Sequence, residues 1–245
     1  MAACALVLDA CSGLPPRATA QRSSFATDSV TTRAGTVELE LGGGLGPRSD
    51  RDLVTAVKYG LDDFTEVYVC GSPYLRARVS GETLRGRSAT DLGWRHRFYE
   101  SEDMAAGVQA IARIAHGSEH EGLAGRENDY FLAGILDSYG EHIGITAFYQ
   151  LGSLGASGEQ RDTQHALSVI AGAALSEQLD AFTEVFGEFT HARSANPVAA
   201  QLGVAWNRSA NVIWDLALQR GLNDDGGHTR VFFGVTWNLG ALSDG

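Results

Sequence analysis

Between residues 36 and 240 the chain repeatedly alternates apolar and polar positions with a period of two. In the last such stretch, Arg230-Val-Phe-Phe-Gly-Val-Thr-Trp-Asn-Leu-Gly240, Val231, Phe233, Val235, Trp237 and Leu239 are all apolar, while the even positions are mostly polar or small. Successive side chains of a strand point to opposite faces, so the stretch predicts a strand with one greasy and one wetter face. The pattern predicts twelve strands: 36–43, 53–61, 65–71, 91–99, 107–115, 129–138, 142–151, 164–174, 181–190, 198–208, 212–220 and 230–240. The Ala-rich stretches 104–115 and 164–178 also admit amphipathic helices.

The connections between these strands alternate in length: 62–64, 139–141 and 209–211 are short, whereas 72–90, 116–128 and 152–163 are long and polar. A meander with every second turn tight predicts an all-β fold, a single antiparallel transmembrane β-barrel with short periplasmic turns and longer external loops. An even strand number leaves both termini on the periplasmic side. The polar face carries Glu38, Glu40, Lys58, Glu66, Asp91, Arg95, Arg97, Arg113, Glu184, Glu188, Asp215 and Arg230, spaced by Gly, Ala, Thr and Ser, which suits a wet, confined lumen. Seven acids against five bases make no strong ion filter. Arg95 and Arg97 on one strand and Glu184 and Glu188 on another are expected to set lumen width and field. Tyr59, Trp94, Phe98, Tyr149, Phe189, Trp206, Trp214 and Trp237 fall on the apolar face, where they predict interfacial girdles. A soluble barrel or sandwich with these rings in its core is the competing fold.

Composition narrows the rest. Among 245 residues, 30 are Gly and 5 Pro, as many strands and tight turns require. A formal charge of −11 disfavours nucleic acid, whose binding needs a basic face. No stretch of eighteen apolar residues is present to form a transmembrane helix, which leaves barrel strands untouched. Residues 1–20 contain an apolar stretch, a Pro-Pro break and Ala18-Thr19-Ala20, which predicts a signal peptide cleaved before Gln21 despite Asp9 and the missing basic start. Residues 21–34 then form a periplasmic segment, 35–240 the barrel and 241–245 a tail, and Cys70 is the one cysteine retained.

Four stretches carry a family resemblance: Gly35-Thr-Val-Glu-Leu-Glu-Leu-Gly-Gly-Gly44 after Thr27-Asp28, Tyr59-Gly-Leu-Asp-Asp63, Asp91-Leu-Gly-Trp-Arg-His-Arg-Phe98 and Phe233-Gly-Val-Thr-Trp-Asn-Leu-Gly240. Their order resembles the outer-membrane transporter family associated with the MetA pathway of phenol degradation. That resemblance implies a bacterial outer-membrane channel near aromatic catabolism and supplies no catalytic residue. Gly234, Trp237 and Leu239 also resemble the C-terminal signal read by the outer-membrane assembly machinery, with Leu239 in place of the final aromatic.

The leading functional expectation is passage of small solutes, apolar or aromatic ones on the resemblance, with membrane lipid, lipopolysaccharide, the solute and the assembly machinery as partners. A lipid hydrolase would need Ser and His on one strand face. The pairs His165/Ser168 and His191/Ser194 are spaced by three and point oppositely, so an enzyme is not expected. The His116–Glu121 run and Asn223-Asp-Asp-Gly-Gly-His228 are read as polar loops rather than metal sites, and no cofactor is expected. A closed structural barrel and a soluble ligand-binding barrel remain as alternatives.

Overall fold

The computed structural model describes residues 18, 24–47, 50–79, 82–115, 127–155, 161–191 and 196–241, so nearly all of the expected signal peptide and residues 242–245 of the tail lie outside it. The strands are β1 (Thr36–Leu45), β2 (Arg51–Asp62), β3 (Thr65–Val79), β4 (Glu82–Gly86), β5 (Thr90–Glu100), β6 (Met104–Ile114), β7 (Asp129–Tyr139), β8 (Gly144–Leu154), β9 (Asp162–Ala174), β10 (Leu179–Thr190), β11 (Val198–Ser209), β12 (Val212–Gly221) and β13 (Arg230–Ala241). Neighbours pair antiparallel in chain order, β5 pairs with β3, and β1 pairs with both β2 and β13. Twelve strands therefore close on themselves, and β4 is an addition pairing with the far end of β3. Closure pairs the backbone groups that an open edge would leave stranded in lipid.

Each of the twelve predicted strands is present, and the one difference lies in 72–90, expected as a loop. There β3 continues to Val79 and β4 returns beside it, from Leu75 opposite Gly86 to Val79 opposite Glu82. Pro73 lacks an N–H, and it sits where the β2–β3 register slips between Leu53–Tyr74 and Thr55–Gly71. Ser72 bonds instead to Ser88, through Ser88 N–H to Ser72 O at 2.9 Å and Ser72 N–H to Ser88 Oγ at 2.7 Å. The two Ala-rich stretches are strands β6 and β9, because sheet pairing on both sides outweighs local helix propensity.

Large apolar side chains cover the outside, among them Leu132 at 58% exposure and Leu202 at 63%. Water would not tolerate such a continuous apolar surface; lipid does. Polar and charged residues are turned inward and buried.

Residues 24–34, assigned to a periplasmic segment from the sequence, run along the inner wall of the barrel. Their backbone meets inward-facing side chains of β10, β7, β5 and β3 in turn and reaches β2 at Gly60. A Cβ on Gly60 would come within 2.1 Å of Arg33 O and 2.3 Å of Thr32 O, so only Gly admits this approach. The chain then turns into β1 through Gly35, at φ 71°, with Thr36 N–H donating to Arg33 O at 3.1 Å.

Candidate functional site

The lumen is built from the inward positions of the strands, and its most charged sector lies on β1, β2, β3 and β5. Lys58 Nζ lies 2.7 Å from Glu38 Oε1 and 2.6 Å from Glu40 Oε1, so one ammonium is shared by two carboxyls on the neighbouring strand. Arg95 Nη2 lies 3.4 Å from Glu66 Oε1, while its Nε and Nη2 donate to Gln109 Oε1 at 3.3 and 3.2 Å. All of these side chains are buried, where an ion is tolerated only with close partners.

The N-terminal segment is seated by the wall. Phe25 N–H and Ala26 N–H donate to Glu184 Oε2 and Oε1, each at 2.9 Å. Ser29 donates to Asp137 Oδ2 through both its N–H, at 2.9 Å, and its hydroxyl, and Thr32 N–H donates to Glu66 Oε2 at 2.7 Å. Arg95 Nη1 donates in the other direction, to Val30 O at 2.9 Å. Extended backbone that is not part of a sheet needs foreign acceptors for its N–H groups, and the wall carboxyls supply them. The carboxyls are themselves held: Glu184 accepts from Ser168 Oγ at 2.5 Å and from Gln201 Nε2, and Asp137 accepts from Thr146 Oγ1 at 2.6 Å. Segment and wall thus form one polar network, with residues 24–34 seated like a plug in the periplasmic half of the lumen.

Opposite the charged sector the inner wall is apolar. Ala133, Ile135 and Phe148 pack with Ala26, and Phe25 and Ile170 lie against them. Phe25 stacks on Phe186 with ring centroids 4.5 Å apart and meets Phe148 edge-on at 6.4 Å. Alternation placed Gln109 and Gln201 on the polar face but did not single out this patch, Asp137 or the inward role of Ser168. A signal was present, because β7 reads Asp-Tyr-Phe-Leu-Ala-Gly-Ile-Leu-Asp and is apolar on both faces.

Toward the external mouth the charges are more accessible. Arg113 Nε donates to Asp91 Oδ1 at 2.8 Å and Nη2 to Asp91 Oδ2 at 3.0 Å, with the guanidinium 4.9 Å from the Phe131 ring. Arg230 Nη2 lies 2.6 Å from Asp52 Oδ1 and over Phe232 at 4.8 Å. Glu188 accepts from Gln164 Nε2 at 3.2 Å, and Asp215 is buried in the β12 wall.

The expected Arg95/Arg97 and Glu184/Glu188 cluster is not one unit. Arg95 belongs to the plug seat, whereas Arg97 sits at the periplasmic end, 3.4 Å from Glu100 and bonded to Asp63 O at 3.0 Å. Arg97 keeps Arg95's inward parity, opposite Gly107, and is the last regular position before a register shift toward Tyr99. Glu184 holds the plug and Glu188 the mouth.

Outside, Trp206, Trp214 and Trp237 are exposed near the short turns, with Trp206 opposite Trp214 and Val212 opposite Trp237. Tyr59 is half-buried at the same end, while Trp94 and Tyr149 lie nearer mid-strand, Trp94 stacked on His96 at 5.8 Å. Gly234 faces inward opposite Gly42, and Trp237 and Leu239 face lipid.

His165 is exposed on the outer face and Ser168 is buried inside, donating to Glu184, so they form no nucleophile–base pair. Ser194 and the His116–Glu121 run lie outside the described residues. Asn223 Oδ1 accepts from Val198 N–H at 3.0 Å and Gly226 N–H at 2.8 Å, which makes that stretch a hairpin closure.

The fold is an outer-membrane β-barrel. Its shape is similar to that of an outer-membrane channel from Pseudomonas putida F1, with a TM-score of 0.71 and 10% identity over 88% of this chain and 100% of that one. It is also similar to the NanC porin (TM-score 0.63, 7% identity, 82% and 100% covered) and the KdgM porin (0.60, 8%, 82% and 98%). No family model matches the chain, and no curated protein matches it.

Proposed function

We propose that the chain is an outer-membrane channel for small apolar or aromatic solutes, closed at rest by residues 24–34. The observation that carries this reading is the composition of the lumen around the plug. A charged sector opposes a patch of Ile135, Phe148, Ile170 and Phe186, and Phe25 of the plug already occupies that patch as an aromatic guest would. The plug is held largely by hydrogen bonds from its backbone to wall side chains, each of modest net strength, so its release needs no strand to break.

The KdgM porin has been seen with oligogalacturonate, an acidic saccharide. Here Arg113 and Arg230 are already matched by Asp91 and Asp52, which argues against a polyanionic solute. The resemblance to the phenol-degradation transporter family supports the aromatic choice.

Liposomes containing the purified barrel should admit a small neutral aromatic faster than a sugar of similar size, and removal of residues 24–34 should raise both rates. Equal exclusion of both solutes by the full and the shortened chain would identify a closed structural barrel instead.

A further inference from the structure

The outer face of β7–β10 carries two features that solute passage leaves unused. At its external edge Arg161 lies with its guanidinium 5.1 Å from the Tyr130 ring, which is half exposed on the lipid side. Arg161 Nε donates to Ser153 Oγ at 2.7 Å, and Nη2 donates to Ser153 O at 2.6 Å and Asn128 O at 2.8 Å. These partners are all neutral, whereas Arg95, Arg113 and Arg230 each lie against a carboxyl. A guanidinium fixed in orientation by carbonyls keeps its charge and, among the described residues, its Nη1 carries no hydrogen bond. A planar donor of this kind suits a phosphate.

Below this cation the wall is hollow. Gly134 faces lipid, and a Cβ built there would meet nothing within 4 Å. With Ala147 it forms the floor of an almost wholly apolar groove of about 640 Å³, flanked by Leu136, Tyr149, Leu167 and Phe189. Gly134 is four residues from Tyr130 on β7, or roughly 13 Å along a strand. Between the two levels the exposed His165 accepts from or donates to Tyr149 Oη through Nδ1 at 2.8 Å, giving the otherwise apolar wall one polar pair.

A held cation at headgroup height above an apolar groove that is centred on the same strands and reaches Phe98 and Val198 at its ends matches a lipid with an anionic head. The long-loop end faces the external leaflet, where the lipid is a phosphorylated glycolipid. We propose that the outer face of β7–β10 holds one lipopolysaccharide molecule, with a sugar phosphate on Arg161 and an acyl chain in the Gly134 groove. The chain carries −11 overall, so attraction of an anion depends on this local cation rather than on the general field. The site depends on the barrel lying in the outer membrane and not on which solute the lumen passes.

The test is native mass spectrometry of the full chain in neutral detergent, titrated separately with lipopolysaccharide, dephosphorylated lipopolysaccharide and phosphatidylglycerol. Lipopolysaccharide should bind most tightly, and loss of its phosphates should weaken it about tenfold or more, the scale of a charged hydrogen bond. Arg161→Ala should lower lipopolysaccharide affinity by a similar factor and abolish the preference for the phosphorylated form. Gly134→Leu, which has space at its Cβ, should also weaken binding by filling the groove. Unheated gel mobility checks that both variants remain folded. Unchanged lipopolysaccharide affinity in both folded variants, or phosphatidylglycerol binding as tightly as lipopolysaccharide, would overturn the proposal.

Discussion

Glu184→Ala tests whether the plug gates the lumen. The side chain accepts four hydrogen bonds, two from plug N–H groups at Phe25 and Ala26 and two from the wall residues Ser168 and Gln201. Removing the acceptor strands two plug donors in a buried site, each at a cost of roughly 1–3 kcal/mol. Water entering the space left by the carboxyl restores part of this, so the lower end applies, about 2–3 kcal/mol for the pair. That shifts the equilibrium between seated and released plug by roughly 30- to 140-fold, at 1.4 kcal/mol per factor of ten. The Phe25–Phe186 stack, worth about 0.5–1.5 kcal/mol, still opposes release. Asp137, Arg95 and Glu66 continue to hold residues 29–32, so release is confined to the Phe25–Ala26 end. In planar bilayers the variant should therefore show longer openings to an intermediate conductance rather than full opening. A folded Glu184→Ala barrel with wild-type conductance and dwell times would refute the argument, because the plug would then not limit the path.

Arg95→Ala removes the donor to Val30 O and should also raise open probability, while Arg97→Ala, at the turn, should leave it unchanged; single-channel recording separates the two. Lys58→Met leaves Glu38 and Glu40 buried without their shared ammonium, a loss of about 3–5 kcal/mol that should lower the denaturant midpoint in micelles, and adding Glu38→Gln and Glu40→Gln should recover it. Gly60→Ala drives a Cβ into Arg33 O and Thr32 O and should expose the plug to protease without unfolding the barrel, as limited proteolysis and gel mobility would reveal. Asp28, in the plug rather than a spanning strand, has its carboxyl pushed up to about 7 by burial and then by the neighbouring Asp137. The seated plug therefore holds that proton more tightly than the released one, so seating is strongest below about pH 4 and weakens as pH rises toward 7. Open probability should climb over that window in wild type and stay flat in Asp28→Asn.

The barrel was legible because its determinant is a period of two repeated along most of the chain. Alternation survives errors at single residues, and it placed Glu38, Lys58, Glu66, Arg95 and Glu184 inward, where they are buried. It erred where the period is weak or local. Ser72-Pro-Tyr has the composition of a turn, yet the chain passes through it extended because the proline falls at a gap in the ladder. Arg97 keeps the inward parity of Arg95, but parity says nothing of depth along the barrel, and the side chain lies at the turn end beside Glu100 and Asp63 O.

The plug was illegible in its own residues for a physical reason. Ser24-Phe-Ala-Thr-Asp-Ser-Val-Thr-Thr-Arg-Ala34 has no period, and it is recognised mostly through backbone N–H groups, which nearly every residue type supplies. The specific information lies in the wall that receives it. Among the described residues, the buried inner wall carries six acids (Glu38, Glu40, Glu66, Asp137, Glu184 and Asp215) and two bases (Lys58 and Arg95). Neighbouring strands cannot pair such an excess, and a buried carboxyl without donors is costly, so the surplus calls for N–H groups from something else inside the lumen. The segment before the first strand is the nearest source of such donors. Counted by parity alone the inward positions give seven acids against five bases, so the surplus emerges only when burial separates the residues around the segment from those at the mouth and the turns.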